Sequence, residues 1–97
     1  MYATMVQCAM CVAASPHARG RLGRTLATAL GTLPGFVAFV AFDGDAGAVT
    51  ALCLFEDHLS MADAQRVIAR WQRDALATGE IDLRYLCAGD VIVQKGL

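Results

Sequence analysis

The sequence predicts an α+β domain of four antiparallel strands with two helices on one face of the sheet. Three observations carry that prediction. Strand-like and helix-like segments follow one another in the order β-α-β-β-α-β. The second strand is apolar on both of its alternating sets, so both faces of the sheet require cover. The composition is rich in apolar residues for its length: of 97 residues, 57% are hydrophobic and 18% charged, against roughly 45–50% and about 25% in ordinary soluble domains.

The elements follow in chain order. Tyr2 to Met10 opens with β-favouring residues and has no breaker, which predicts a first strand. A short loop around Ser15-Pro16-His17 leads to a helix from Ala18 to Leu33. Its apolar positions Leu22, Leu26, Ala29, Leu30 and Leu33 recur at the three-and-four spacing of one helix face. Gly20, Gly23 and Gly31 weaken that helix, each by up to ~1 kcal/mol relative to alanine. Leu33-Pro34-Gly35 stops it.

Phe36 to Phe42 is the second strand, with Phe36, Ala38, Val40 and Phe42 on one side and Val37, Phe39 and Ala41 on the other. Turn chemistry at Asp43-Gly44-Asp45-Ala46-Gly47 joins it to a third strand, Val49 to Phe55, as a β-hairpin. Ser60, with Asp63 three residues on, has the pattern of a helix N-cap. The stripe Met61, Ala64, Val67, Ile68, Trp71 and Ala75 then predicts an amphipathic helix that stops at Gly79. Ile81 to Tyr85 alternates with period two, Ala88-Gly89 marks a bulge or bend, and Val91-Ile92-Val93 carries the last strand on towards Lys95.

This order is the split-βαβ signature, a ferredoxin-like fold, and a single domain spans residues 1–97. Two helices cover one sheet face. The simplest cover for the other is the same face of a second copy, so a homodimer packed sheet to sheet is expected.

Bulk properties narrow the function classes. A net charge of −1 argues against nucleic acid. The longest nearly unbroken apolar stretch, Leu33 to Phe42, contains Pro34 and Gly35 and falls short of the roughly 20 residues a spanning helix needs, so no membrane is expected. Met1 to Ala14 has no basic n-region and contains Gln7, unlike a secretory signal. A cytoplasmic protein with reduced thiols at Cys8, Cys11, Cys53 and Cys87 is the expectation.

Four stretches resemble a known group: Leu33-Pro34-Gly35-Phe36-Val37-Ala38-Phe39 entering the second strand, Ala51-Leu52-Cys53-Leu54-Phe55-Glu56-Asp57 on the third, Ala69-Arg70-Trp71-Gln72-Arg73 in the second helix, and Ala88-Gly89-Asp90-Val91-Ile92-Val93 near the end. Together they resemble the antibiotic biosynthesis monooxygenase-like domains of the dimeric α+β barrel group, over nearly the whole length. The resemblance implies cofactor-independent oxygenation of a small hydrophobic or aromatic molecule, bound in a cleft between sheet and helices. It equally admits a non-catalytic dimer that binds such a molecule or serves assembly alone. The haem-degrading branch of the group relies on an asparagine in the first strand and a late histidine. Here the first strand offers Gln7, and no histidine follows Trp71. Neither a cofactor nor a metal is expected.

Candidate site residues follow, each with a plainer alternative. Gln7 breaks an otherwise apolar strand; buried, it needs a partner, either a ligand or the protein itself. His58, after Phe55-Glu56-Asp57, is a candidate acid or base, or a solvated loop residue, as is His17. Trp71 is a cleft wall that stacks on a flat ligand, or a core aromatic. Phe39 and Arg70 complete the candidate ligand-binding set. Arg19, Arg21 and Arg24, with Arg66, Arg70 and Arg73, form an anion-attracting rim or two solvated helix faces. Cys8-Ala9-Met10-Cys11 is a C-x-x-C, suited to redox or metal chemistry only off a strand; within a regular strand its thiols point to opposite faces. Cys53 and Cys87, in apolar strands, read as small hydrophobes.

Overall fold

The computed structural model describes residues 1–10, 16–44, 48–79 and 81–96. The elements are β1 (Tyr2–Met10), α1 (Pro16–Gly31), β2 (Phe36–Asp43), β3 (Ala48–Phe55), α2 (Met61–Ala77) and β4 (Ile81–Asp90). The strands form one sheet in the order β2-β3-β1-β4, every neighbour antiparallel. This is the ferredoxin-like architecture expected from the element order. Cys11, Ser15 and the Asp45-Ala46-Gly47 part of the hairpin turn lie outside the described residues.

The pleat sorts β1 into two faces. Thr4, Val6 and Cys8 are buried on one face, opposite Cys53, Ala51 and Val49 of β3. Leu22, Leu26 and Leu30 of α1 and Ala64, Ile68 and Ala75 of α2 close over that face in one continuous core. α1 packs on β2 and β3, α2 packs on β4, and the helices touch each other. The other face carries Ala3, Met5 and Gln7 with Leu54, Leu52 and Thr50, and neither described helix covers it.

β2 departs from simple alternation. Phe36 pairs with Phe55 but Ala38 pairs with Leu54, so Val37 is the extra residue of a bulge. The bulge moves Phe36 onto the helix face beside Phe39 and Ala41, where its ring meets Phe55 edge-on at 6.2 Å. Phe36 therefore does not share a face with Ala38, Val40 and Phe42. Gly35, at φ +78°, makes the turn before it, and its carbonyl accepts the Glu56 N–H at 2.7 Å.

Three local expectations need correction. Pro16 starts α1 rather than preceding it, a position where a missing N–H costs nothing, and the helix ends at Gly31, two residues before Leu33. Ser60 does not cap α2 with its side chain: its hydroxyl donates to the Pro34 carbonyl at 2.6 Å, tying the β3–α2 turn to the α1–β2 turn. Asp63 pairs instead with Arg66, one turn along the same helix. Finally, β4 runs without a bulge through Ala88 and Gly89 and ends at Asp90; the register shift falls at Ala9/Met10. Ile92 and Val93 leave the sheet and are highly exposed. Gly79, at φ +73°, does terminate α2 in the left-handed conformation expected of a C′ glycine.

Candidate cleft between the first helix and the sheet

A helix can lie flush on a sheet only if its side chains fill the gap between them. α1 has a filled side and an unfilled one. Leu22, Leu26 and Leu30 fill the side towards the core. Gly20, Gly23 and Ala27 recur at helical spacing on the side facing β2 and leave a gap. A Cβ placed on Gly23 would sit 3.8 Å from the Ala41 Cβ below, in ordinary van der Waals contact, so the glycine leaves a methyl-sized space there. The result is an open cleft of about 380 Å³ between α1 and the edge of the sheet, with Phe39, Ala41 and Val49 as its floor.

The cleft narrows inward. Gly23, Ala41 and Val49 also border an apolar pocket reaching Val6, Cys8 and Trp71, whose volume of about 10 Å³ is at the lower limit for one water. Trp71 closes this inner end. Its indole N–H donates to the Leu22 carbonyl at 3.0 Å, which binds α2 to α1 and leaves the ring alone to face the pocket. Trp71 is thus both a core aromatic and a cleft wall.

Two charges sit at the mouth, Arg24 on α1 and Asp43 at the end of β2. They do not pair with each other, and neither side chain has a hydrogen-bonding or ionic partner among the described residues. Gly20 makes room for the arginine: a Cβ there would lie 3.0 Å from Arg24 Nη1 and 3.6 Å from Cζ. The guanidinium therefore rests on the bare backbone of α1 at the cleft rim.

Among the residues singled out from sequence, Phe39 lines this cleft and Trp71 lines the small apolar pocket behind it. Gln7 does not join them. It stands exposed on the opposite face of the sheet, where its Nε2 donates to Thr50 Oγ1 at 3.3 Å. The period-two rule separates Gln7 from Trp71 because α2 packs on the face that carries Val6 and Cys8. His58 is exposed in the turn before α2, and Arg70 is exposed on that helix; neither lines the cleft. His17 is exposed at the start of α1.

Cys8 is buried on the helix face, and its C-x-x-C partner Cys11 lies outside the described residues. Cys53 is buried as expected, and burial pushes its thiol up to about 11, so it stays protonated and inert near neutral pH. Cys87 departs from the small-hydrophobe reading, since it is exposed on the uncovered face, opposite Met5. Among the described residues no three His, Cys, Asp or Glu side chains converge as a metal site. No described helix is long and apolar enough to cross a membrane.

Sequence reading passed over Asp43 as turn chemistry, Arg24 as one of several helix arginines, and Gly20 and Gly23 as helix weakeners. The usable signal was the 20-23-24-27 spacing, which places two glycines, an arginine and an alanine on one face of α1.

No protein-family model and no curated protein matches the chain by sequence. Solved structures do match its fold. A Nitrosomonas europaea protein described as a candidate antibiotic biosynthesis monooxygenase superposes with a TM-score of 0.72 at 16% identity, covering 96% of this chain and 100% of that one. A mutant of SnoaB, a cofactor-independent oxygenase from Streptomyces nogalater, gives 0.69 at 15% identity, over 96% of this chain and 94% of its own. The protein At3g17210 from Arabidopsis thaliana gives 0.76 at 12% identity, over 98% and 99%. The fold is therefore that of the antibiotic biosynthesis monooxygenase-like domains, and identities this low speak to the fold alone.

Proposed function

We propose that this chain acts as a single domain, residues 1–97, that binds a small, flat, largely apolar or aromatic molecule in the cleft under α1 and oxygenates it without a bound cofactor. The observation that carries the reading is the cleft itself. Glycine and alanine on α1 leave the space over β2 unfilled, aromatic and aliphatic side chains form the floor, and Trp71 walls the small pocket behind it. On this reading the substrate must supply the electrons that reduce dioxygen. An electron-rich phenol or enol fits that requirement. In net terms, one ring CH2 and one O2 become a C=O and one water, so atoms and electrons balance with no further reductant.

The protein works as a homodimer on this reading. Val40 and Phe42, on the face no helix covers, are 53% and 55% exposed in the isolated chain. With Leu52, Leu54 and the Val91 and Val93 tail, Val40 borders an apolar depression of about 520 Å³. A second copy of the same face is the self-complementary cover. Thiols at Cys53 and Cys87 accord with a cytoplasmic location.

A second reading, a dimeric module that binds without catalysis, is favoured by the placement of Gln7 and His58 away from the cleft. The two readings separate in one experiment. Native mass spectrometry of the protein as expressed identifies a retained molecule and the assembly state. Oxygen uptake is then followed with that molecule and with a panel of hydroxylated aromatics. Substrate-dependent uptake that a Gly23→Leu variant loses supports the oxygenase. Tight binding with no uptake selects the binding module, and a monomer with no affinity for flat apolar molecules overturns both.

A further inference from the structure

We infer that the cleft selects a flat aromatic acid bearing a neighbouring hydroxyl group, with Arg24 taking the anionic oxygen and Asp43 accepting the hydroxyl proton in a hydrogen bond. This rests on the reading of the cleft as a ligand site. Among the described lining residues Arg24 and Asp43 are the charged ones; the remainder are Gly, Ala, Phe and Val. A cation and an anion stand at the rim of an apolar slot, and neither side chain has a partner among the described residues. The contrast within the same chain is Arg66, which pairs with Asp63 one turn away.

The free charges matter once the slot fills. Water solvates both while the cleft is open. A flat ligand sliding under α1 displaces that water, and a purely apolar one returns no hydrogen bonds, so binding bears the desolvation cost of two charges. A ligand with an acidic oxygen restores a charge-assisted bond to the guanidinium fork, and an adjacent hydroxyl restores one to the carboxylate. Selectivity therefore comes from the penalty on the wrong ligand as much as from attraction to the right one. Gly20 is part of the device: its missing side chain is the space on which the guanidinium rests, and a Cβ there would crowd Nη1 at 3.0 Å.

The probe is 3-hydroxy-2-naphthoate, compared with its neutral methyl ester and with 2-naphthoate, which lacks the hydroxyl. Affinities are measured by titration calorimetry. Trp71, the sole tryptophan, localises binding through its fluorescence because it closes the inner end of the cleft. The wild-type protein is expected to prefer the acid over the ester by about tenfold, the size of one charge-assisted bond at a partly solvated site. Arg24→Gln abolishes that preference and leaves the ester affinity in place. Asp43→Asn weakens the hydroxy acid but not 2-naphthoate. Gly20→Ala keeps the fold, displaces the guanidinium and lowers the acid-over-ester ratio. Gly23→Leu, which fills the cleft, abolishes binding of all three.

If Gly23→Leu removes binding but Arg24→Gln leaves the acid-over-ester ratio intact, the inference about charge falls while the cleft reading stands. If Gly23→Leu changes nothing, or the wild-type protein binds none of the probes, the cleft reading itself falls and takes this inference with it.

Discussion

Replacing Thr4 with valine should make the protein more stable. Thr4 lies in β1 on the helix-covered face, opposite Cys53 of β3 and Ala88 of β4, and is 1% exposed. Its Oγ1 is buried without a hydrogen-bond partner. A hydroxyl in that situation has lost its water and gained nothing, at a cost of about 1–3 kcal/mol. Valine keeps the β-branch and the shape and replaces the hydroxyl by a methyl group, so it opens no cavity and suits a strand. The expected gain is about 1–2 kcal/mol, which for a domain of this size raises Tm by roughly 4–8 °C per kcal/mol. Urea unfolding, at one fixed protein concentration so that association does not shift the midpoint, reads the change as a higher midpoint at constant slope. Thr4→Ser is the control: it keeps the hydroxyl, loses a packed methyl and should destabilise by about 1 kcal/mol. A Thr4→Val variant no more stable than wild type would refute the reasoning, because it would mean that the hydroxyl is satisfied in solution by a buried water.

Other outcomes follow from particular contacts. Ser60→Ala should cost about 1 kcal/mol, and Ser60→Asp at least as much, because the Pro34 carbonyl needs a donor; if Asp restores wild-type stability in thermal melts, Ser60 is a helix cap after all. Val40→Lys puts a charge on the uncovered face and should give a monomer in sedimentation velocity, whereas an intact dimer would exclude that face as the interface. Cys53 holds its proton more tightly folded than unfolded. Below the ordinary thiol pKa both states are protonated; above it the unfolded chain ionises first, so stability should fall as pH rises towards about 11 and then level off. Cys53→Ala should flatten that decline, and an equally steep fall in the variant would assign it to other groups.

The element order was legible in the sequence because it depends on local periodicity. The β-favouring, breaker-free run Tyr2–Met10, the Met61-Ala64-Ile68-Ala75 stripe and the glycine at position 79 each act within a few residues, and each came out where expected. The unfilled face of the sheet was legible too, since a strand such as Phe36–Asp43 with apolar side chains on both faces announces a second covering layer. Local signals erred where a tertiary contact competed. The Ser60 hydroxyl had a choice between its own helix and the carbonyl of Pro34, 26 residues away, and took the latter. Phe36 changed faces because one extra residue at Val37 let its ring reach Phe55.

By itself, then, the sequence determined the β-α-β-β-α-β chain and the antiparallel sheet with a bare face. Only the tertiary structure decided which residues share a site. Period two says that Gln7 lies on one of two faces, but the packing of α1 and α2 against Val6 and Cys8 chose the face, and so set Gln7 apart from Trp71. Likewise, Gly20 and Gly23 are merely poor helix residues until β2 is laid beneath them. A cleft is the space left between elements distant in sequence, and no local pattern encodes a space that neither element contains alone.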